Sequence, residues 1–166
     1  RTSSDLTIRN TRVYGTLVII CPGKKVPLDT AVLFQPLRAD YPALIVDGNA
    51  VLQYDSQGTT LSESAVGVNF NPSGAPYQGS SDTDVTDQYP SEIQGLVHVR
   101  GTVTLTRTAL IRGGVICEST AAADAVDCLE TNEIVYTPSL YTNPPQGYTV
   151  RVKMVPQPGS LTQSVD

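Results

Sequence analysis

Hydrophobic and polar residues alternate along much of this chain with a period of two. The alternation is clearest in Leu6–Ile8, Val13–Ile19, Leu44–Val46, Val97–Val99, Val103–Leu105, Ile134–Tyr136 and Val150–Val152. A period of two places successive side chains on opposite faces of a β-strand. Helical spacing is hard to find, and its best candidate, Ala121–Leu129, is too short to be stable alone. The abundant valine and threonine also favour strands, so the pattern predicts an all-β fold.

Two glycine-centred units recur along the chain. The first is found at Val13–Ile19, Ile93–Val99 and Ile111–Cys117, and the second at Val46–Leu52 and Val99–Leu105. The last two copies of the first unit begin 18 residues apart, and a period of about 20 residues is typical of a solenoid. The repeats favour a short single-stranded-coil β-solenoid (β-helix). A β-sandwich of short strands would also produce alternation and glycine-rich turns, and it is the alternative.

The spacing of the units predicts the organisation of one domain. Residues 1–155 form the solenoid, and two long loop insertions, 20–46 and 53–92, separate the units of its first half. Residues 20–46 are rich in proline, and residues 71–91 are almost wholly polar and turn-forming, so we expect surface loops there. Residues 156–166 are expected to form a flexible C-terminal tail.

Three blocks of sequence together resemble a known group of proteins. They are residues 69–103, which include NFNPSGAPYQG and DTDVTDQYPSEIQGLVHVRGTV, the coil IRGGVIC at 111–117, and TPSLYTNPPQGY at 137–148. The blocks are similar to those of planctomycete-type bacterial envelope proteins related to PilX-like type IV pilus assembly proteins. The resemblance implies an exported β-solenoid domain of unassigned activity, and it supplies no catalytic residues. Members carry a prepilin-like helix before the solenoid; because this chain begins at Arg1 without one, we expect a targeting or anchoring segment upstream.

Composition excludes several classes of function. The chain carries 11 Lys and Arg against 16 Asp and Glu, for a net charge of −5, and this balance argues against a nucleic-acid partner, which requires a basic face. No apolar run is long enough to span a membrane. One histidine and three cysteines exclude a multi-histidine metal site and a four-cysteine zinc site. The resemblance, and not the composition, implies an exported protein, located extracellularly, in the periplasm or on the cell surface.

The single histidine gives no support to an enzyme. His98 has the opposite parity to Ile93, Gly95, Val97 and Val99, so it is expected on the outer surface. No G-x-S-x-G motif supplies a serine nucleophile. A polysaccharide-active enzyme would need two carboxylates held on rigid elements, whereas the carboxylates here concentrate in loops. The sequence therefore predicts no catalytic residues, although enzyme activity is left open.

Two further sites are predicted from residue spacing. A disulfide between Cys117 and Cys128 would close a loop of ten residues and contribute about 2–4 kcal/mol, which would leave Cys21 unpaired. The alternatives place Cys117 against Cys21, or leave all three thiols free. Asp82, Asp84 and Asp87 form a weak Ca²⁺ candidate in the polar loop, with a solvated acidic loop as the simpler interpretation. No other cofactor is expected.

The resulting hypothesis is a non-catalytic, exported structural or adhesive module, associated with a pilus or with secretion. A polysaccharide-binding or polysaccharide-active β-helix protein is the alternative. The sequence allows three kinds of partner. They are a second copy of the chain bound through open solenoid ends, an envelope or pilus protein, and polysaccharide.

Overall fold

The computed structural model describes residues 6–119 and 125–148. Within these ranges the chain forms ten strands and two helices of one turn each. The strands are β1 (Ile8–Tyr14), β2 (Leu17–Gln35), β3 (Leu44–Tyr54), β4 (Thr60–Ser62), β5 (Gln88–Pro90), β6 (Glu92–Val99), β7 (Val103–Leu105), β8 (Leu110–Cys117), β9 (Val126–Cys128) and β10 (Glu133–Tyr136). The helices are α1 (Glu63–Val66) and α2 (Ser139–Thr142). The prediction of an all-β fold is confirmed.

Eight of the described strands form one curled sheet that resembles a half-barrel. Its order is β10-β8-β6-β2-β3-β7-β9, with β1 on β2 and a further pairing between β3 and β6. All of its described pairings are parallel. Strands β4 and β5 form a separate antiparallel pair. The described residues do not show two antiparallel sheets packed face to face, as the sandwich alternative requires.

The repeated units of the sequence lie side by side in the sheet. Strand β6 pairs with β8 so that Ile93 faces Ile111 and Gly95 faces Gly113. The second unit is matched in the same way, since Ala50 pairs with Val103. Equivalent positions of the repeated units are therefore paired with each other in the register of the parallel sheet.

The core lies inside the curl and is built from rows of apolar side chains, each row taking one residue from each of three neighbouring strands. The rows are Phe34–Ile93–Ile111, Leu44–Val97–Val115, Val46–Val99–Cys117, Ala50–Val103–Val126 and Leu52–Leu105–Cys128. The first two members of each row are fully buried. Burial of apolar surface stabilises by about 25 cal/mol per Å², so these rows are the main reason that the strands adopt this register.

Residues 20–46 are not the loop insertion that the sequence predicts. Strand β2 extends to Gln35, and only residues 36–43 connect it to β3. The pairing of β2 with β3 is interrupted between Ile20 and Lys25 and then resumes, because Leu28 and Phe34 are buried in the core. Among the described strands, Pro27 pairs only with Val51 of β3. Proline is tolerated there because no described strand pairs with it on the opposite side of β2, where its missing N–H would otherwise be needed.

Residues 53–92 pack against the outside of the sheet and are not simply a protruding loop. They contain the end of β3 together with β4, α1 and β5. Leu61 and Tyr89 form a second small core with Ala31 and Leu33 on the outer face of β2. This contact fixes the segment on the scaffold. The predicted tail 156–166 lies outside the described residues. Among the described residues, no helix is long and apolar enough to cross a membrane.

Candidate functional site

The outer face of the sheet carries a row of polar side chains next to the apolar core rows. Tyr14 pairs with Gln35, and Gln94 pairs with Arg112. Gln35 Nε2 donates to Gln94 Oε1 at 3.1 Å, which joins the two pairs into one row. All four side chains line a cavity of about 500 Å³. We call this cavity the amide groove; its walls are Pro36, Ala39, Thr137, Ser139 and Leu140.

A buried carboxylate holds the middle of the amide groove in place. Gln94 Nε2 donates to Glu92 Oε1 at 2.6 Å, and Arg112 Nε donates to Glu92 Oε2 at 2.7 Å. The side chain of Glu92 is only 7% exposed, whereas that of Arg112 is 50% exposed. Because Glu92 uses one oxygen for each neighbour, it fixes both side chains and compensates the charge of Arg112.

One end of the amide groove is anchored by Arg12. Its guanidinium carbon lies 5.3 Å from the centroid of the Tyr14 ring, over one face. Its terminal nitrogens donate to the carbonyl oxygens of Phe70, Ala75 and Pro76. Burial lowers the pKa of Arg12, although nearby tyrosines oppose this effect. Arg12 therefore joins residues 70–76 to strand β1 and covers one face of Tyr14.

A second groove lies farther along the same sheet, four residues beyond Gln94 on β6. Val18, Ile45, His98 and Ile116 are in register on β2, β3, β6 and β8. They line a cavity of about 690 Å³ together with Thr16, Tyr41, Pro42, Glu118, Gln146, Gly147 and Tyr148. We call it the histidine groove. Its floor is apolar except for His98, so it is suited to contact with another apolar surface.

Both ring nitrogens of His98 are engaged within the protein. Nδ1 lies 2.5 Å from the Tyr148 hydroxyl, and Nε2 lies 2.8 Å from Glu118 Oε1. The side chain is on the outer side of β6, as its parity predicts, but it is only 15% exposed because Tyr148 covers it. In the neutral tautomer with its proton on Nε2, the ring donates to Glu118 and accepts from the Tyr148 hydroxyl at Nδ1. Neither nitrogen is left to accept a proton from a substrate in this arrangement.

A network of acidic and amide side chains organises the segment outside β2. Glu63 is fully buried and accepts from Phe70 N at 2.5 Å, Asp87 N at 3.1 Å and the Tyr89 hydroxyl at 2.8 Å. Burial alone would raise the pKa of Glu63, but these hydrogen bonds lower it below its ordinary value. Burial, together with the hydrogen bond to Glu63, raises the pKa of Tyr89. The network therefore connects Glu63 to the middle and to the end of residues 63–89 and stabilises their conformation.

The three aspartates predicted as a calcium candidate are not assembled into a site. Asp82 Oδ2 and Asp87 Oδ2 each accept from Asn71 Nδ2 at 3.1 Å. Asp84 instead accepts from the backbone and hydroxyl of Thr86, which lowers the pKa of Asp84. The Asn71 amide thus lies where a cation would bridge the carboxylates. Within the described residues, no group of three His, Cys, Asp or Glu side chains could hold a metal ion.

The predicted disulfide between Cys117 and Cys128 is not formed. All three cysteines are free thiols, with Cys21 buried and Cys128 exposed. Cys117 pairs with Val99, whereas Cys128 pairs with Leu105, so the two thiols belong to different rows of the sheet. The Cys117 thiol donates instead to the carbonyl oxygens of Gly101 and Ala125, each at 3.0 Å. Burial, with a contribution from Asp47, raises the pKa of Cys21.

Sequence reasoning missed most of the amide groove, although a signal for it was present. Tyr14, Gln94 and Arg112 occupy the same position, directly before the glycine, in the three copies of the first repeated unit. Residues at one position of a stacked repeat form a row on one face. Gln35 could not be found in this way because Pro36 replaces the glycine. Outside this groove, the ring of Tyr54 is fully buried and that of Tyr77 packs against Tyr89.

Comparison of the chain with protein-family models, curated proteins and solved structures finds no match.

Proposed function

We propose that this chain is a non-catalytic, exported structural or adhesive module built on a short parallel β-solenoid. The parallel registers support the solenoid. Three successive segments, residues 93–95, 97–99 and 103–105, lie against residues 111–113, 115–117 and 126–128. In the proposed fold, the three segments of each set belong to one coil, and each coil stacks on the next. The outward-facing side chains are then held at the strand spacing of about 4.8 Å.

The observation that carries the adhesive function is the pair of grooves on this outer face. Both are lined by one side chain from each of four neighbouring strand segments, and both are therefore held rigidly by the sheet. Binding surfaces benefit from such preorganisation because little conformational entropy is lost on contact. The histidine groove is suited to contact with another surface, because its apolar floor surrounds a histidine whose two ring nitrogens already have hydrogen-bond partners within the protein.

Export and attachment to an envelope rest on the resemblance of the closing block. Residues 137–148 supply walls of both grooves: Thr137, Ser139 and Leu140 line the amide groove, and Gln146, Gly147 and Tyr148 line the histidine groove. Gln146 N also donates to Asp40 O at 2.9 Å. The block that carries the resemblance is thus the segment that shapes the proposed contact surface.

Co-sedimentation with insoluble cell-envelope material tests this proposal. Purified chain is mixed with isolated cell walls and with outer membranes from a planctomycete and from an unrelated bacterium, and the pelleted fraction is measured against protein concentration. We expect saturable pelleting with at least one fraction and no release of reducing ends from its polysaccharides. The absence of saturable pelleting with every fraction would refute an adhesive role.

A matched pair of variants locates the contact. Ile116 in the histidine groove and Val85 in the polar segment are both 38% exposed. Ile116→Asp is expected to reduce pelleting if this groove is the contact surface, whereas Val85→Asp is expected to leave it unchanged. Equal loss by both variants would indicate a non-specific effect of charge.

Polysaccharide binding is the second candidate, and the amide groove is the observation that favours it. The paired carboxylates that a polysaccharide-active enzyme needs are not among the described residues that line this groove. Its residues instead suit recognition without cleavage.

A further inference from the structure

We propose that the amide groove binds an extended, uncharged polysaccharide chain of pyranose units. This inference rests on the proposed adhesive function and names the ligand of one of its two surfaces. The groove has the features of a ligand site: a cavity of about 500 Å³, one aromatic ring and a few fixed polar groups.

The length and direction of the row suit a chain and not a single small molecule. Tyr14, Gln35, Gln94 and Arg112 come from β1, β2, β6 and β8, which are successive parallel strands at this face. Three strand intervals of about 4.8 Å give a row roughly 14 Å long. One interval is close to the length of one pyranose unit in an extended polysaccharide, so the row can contact successive units.

The hydrogen-bonding groups match hydroxyl groups, which both donate and accept. The bond to Gln94 uses one donor of Gln35, and its carbonyl oxygen still has two lone pairs for a ligand. The contact with Glu92 uses one of the five N–H groups of Arg112. Gln94 accepts from Gln35 within the row and donates to the buried carboxylate of Glu92, and it keeps one further amide N–H. The floor of the groove therefore offers an acceptor at Gln35 and donors at Gln94 and Arg112.

Tyr14 provides the apolar contact that sugar rings require. Its side chain is 38% exposed, and Arg12 covers one face of the ring at 5.3 Å. Because Arg12 is itself fixed by backbone carbonyls, the ring is held before any ligand binds. The apolar face of a pyranose can then pack on Tyr14 at a small entropic cost.

Charge determines the class of polysaccharide. Among the described residues that line the groove, Arg112 is the only charged one, and its charge is compensated by Glu92 at 2.7 Å. The chain as a whole carries a net charge of −5. An anionic chain would be repelled by the molecule and would have to compete with Glu92 for Arg112. An uncharged chain needs only the hydrogen bonds and the ring contact.

Isothermal titration with defined oligosaccharides tests the inference. The probes are hexamers of β-1,4-linked glucose, N-acetylglucosamine, xylose and mannose, with a galacturonate hexamer as the acidic probe. We expect at least one uncharged hexamer to bind the wild-type chain. Loss of an aromatic contact or of a hydrogen bond corresponds to about tenfold in affinity, so Tyr14→Ala and Gln94→Leu should each weaken binding about tenfold or more.

A matched control separates the groove from the fold. Gln53 is a half-buried glutamine on β3, outside the groove, and Gln53→Leu should leave the affinity within about twofold of wild type. Circular dichroism and thermal unfolding of all three variants establish that they are folded. Should Tyr14→Ala not fold, Tyr14→Trp keeps the ring contact and is expected to retain binding, while Gln94→Leu still tests the row.

Three results would overturn the inference. They are no binding of any uncharged hexamer at millimolar concentration, binding of the acidic hexamer alone, and binding that is unchanged in the Gln94→Leu variant. The same proteins are used in the envelope co-sedimentation. If pelleting persists without oligosaccharide binding, the adhesive function stands and the saccharide inference fails, whereas loss of both would overturn both.

Discussion

The stacking of the repeats makes a sharp prediction about two adjacent glycines in β8. A Cβ atom added at Gly113 would overlap with the carbonyl oxygen of Gly95 and lie 2.6 Å from its carbonyl carbon. A Cβ atom added at Gly114 would meet only Leu140 Cδ1, at 3.6 Å, which is an ordinary contact. The obstacle at Gly113 is backbone, which cannot rotate away as a side chain can. Gly113→Ala should therefore be strongly destabilising, whereas Gly114→Ala is its matched control.

The magnitude follows from the overlap. Ordinary contacts begin at 3.4 Å, so β6 and β8 would have to separate by roughly 1.5 Å or twist, and overpacking of this kind costs about 1–3 kcal/mol. We expect the unfolding free energy to fall by about 3 kcal/mol, which lowers Tm by roughly 6–12 °C in a domain of this size. Gly114→Ala should be neutral or stabilising by about 0.4–1 kcal/mol, since alanine restricts the unfolded chain.

Urea and thermal unfolding followed by far-UV circular dichroism measure both variants. The slope of the unfolding free energy against urea must remain unchanged for the comparison to hold. If Gly113→Ala were as stable as the wild type, or if both variants lost the same free energy, the close stacking of Gly113 on Gly95 would be refuted.

Three further predictions concern the segment outside β2 and the thiols. Because the pKa of Glu63 is lowered in the folded state, its contribution to stability is present above its ordinary pKa and is lost as the pH falls through the folded value. Glu63→Gln should therefore cost about 1–3 kcal/mol near neutral pH and flatten the acid side of the curve of stability against pH. A curve that is unchanged in the variant would contradict this. In the native protein under non-reducing conditions, iodoacetamide should modify exposed Cys128 first and buried Cys21 last, with three alkylated thiols after denaturation by intact mass; a single modified thiol would restore the predicted disulfide. Arg12→Met should remove the contacts with residues 70–76 and accelerate limited proteolysis within that segment at least severalfold; cleavage at the wild-type rate would show that Arg12 does not hold it.

The strands that the sequence predicted best are those whose signal is local. Alternation and the recurring glycine placed β6 and β8 in the register that the structure shows, with Gly95 facing Gly113. The same parity placed His98 on the outer side of its strand. These features depend only on the side-chain period of two and on the repeat length, both of which can be read from consecutive residues.

Strand β2 shows where local signals fail. Its prolines and lysines are typical of a loop, yet Lys25–Thr30 pairs with Asn49–Tyr54. That pairing is decided by residues more than twenty positions away and by burial of Leu28 in the core. Long-range packing overrides local propensity in such strands.

Consecutive residues were enough to predict the all-β class, the repeated units and the outward orientation of His98 on β6. Which side chains meet depends on the folded sheet. It places Cys117 and Cys128 in different rows and directs Asp82 and Asp87 toward the Asn71 amide. It also aligns one side chain from each of β1, β2, β6 and β8 into the amide groove. The reason is physical. Parity is a property of one strand, whereas a thiol pair, a metal site or a groove requires atoms from several strands within a few ångströms, and only the register of the folded sheet sets those distances.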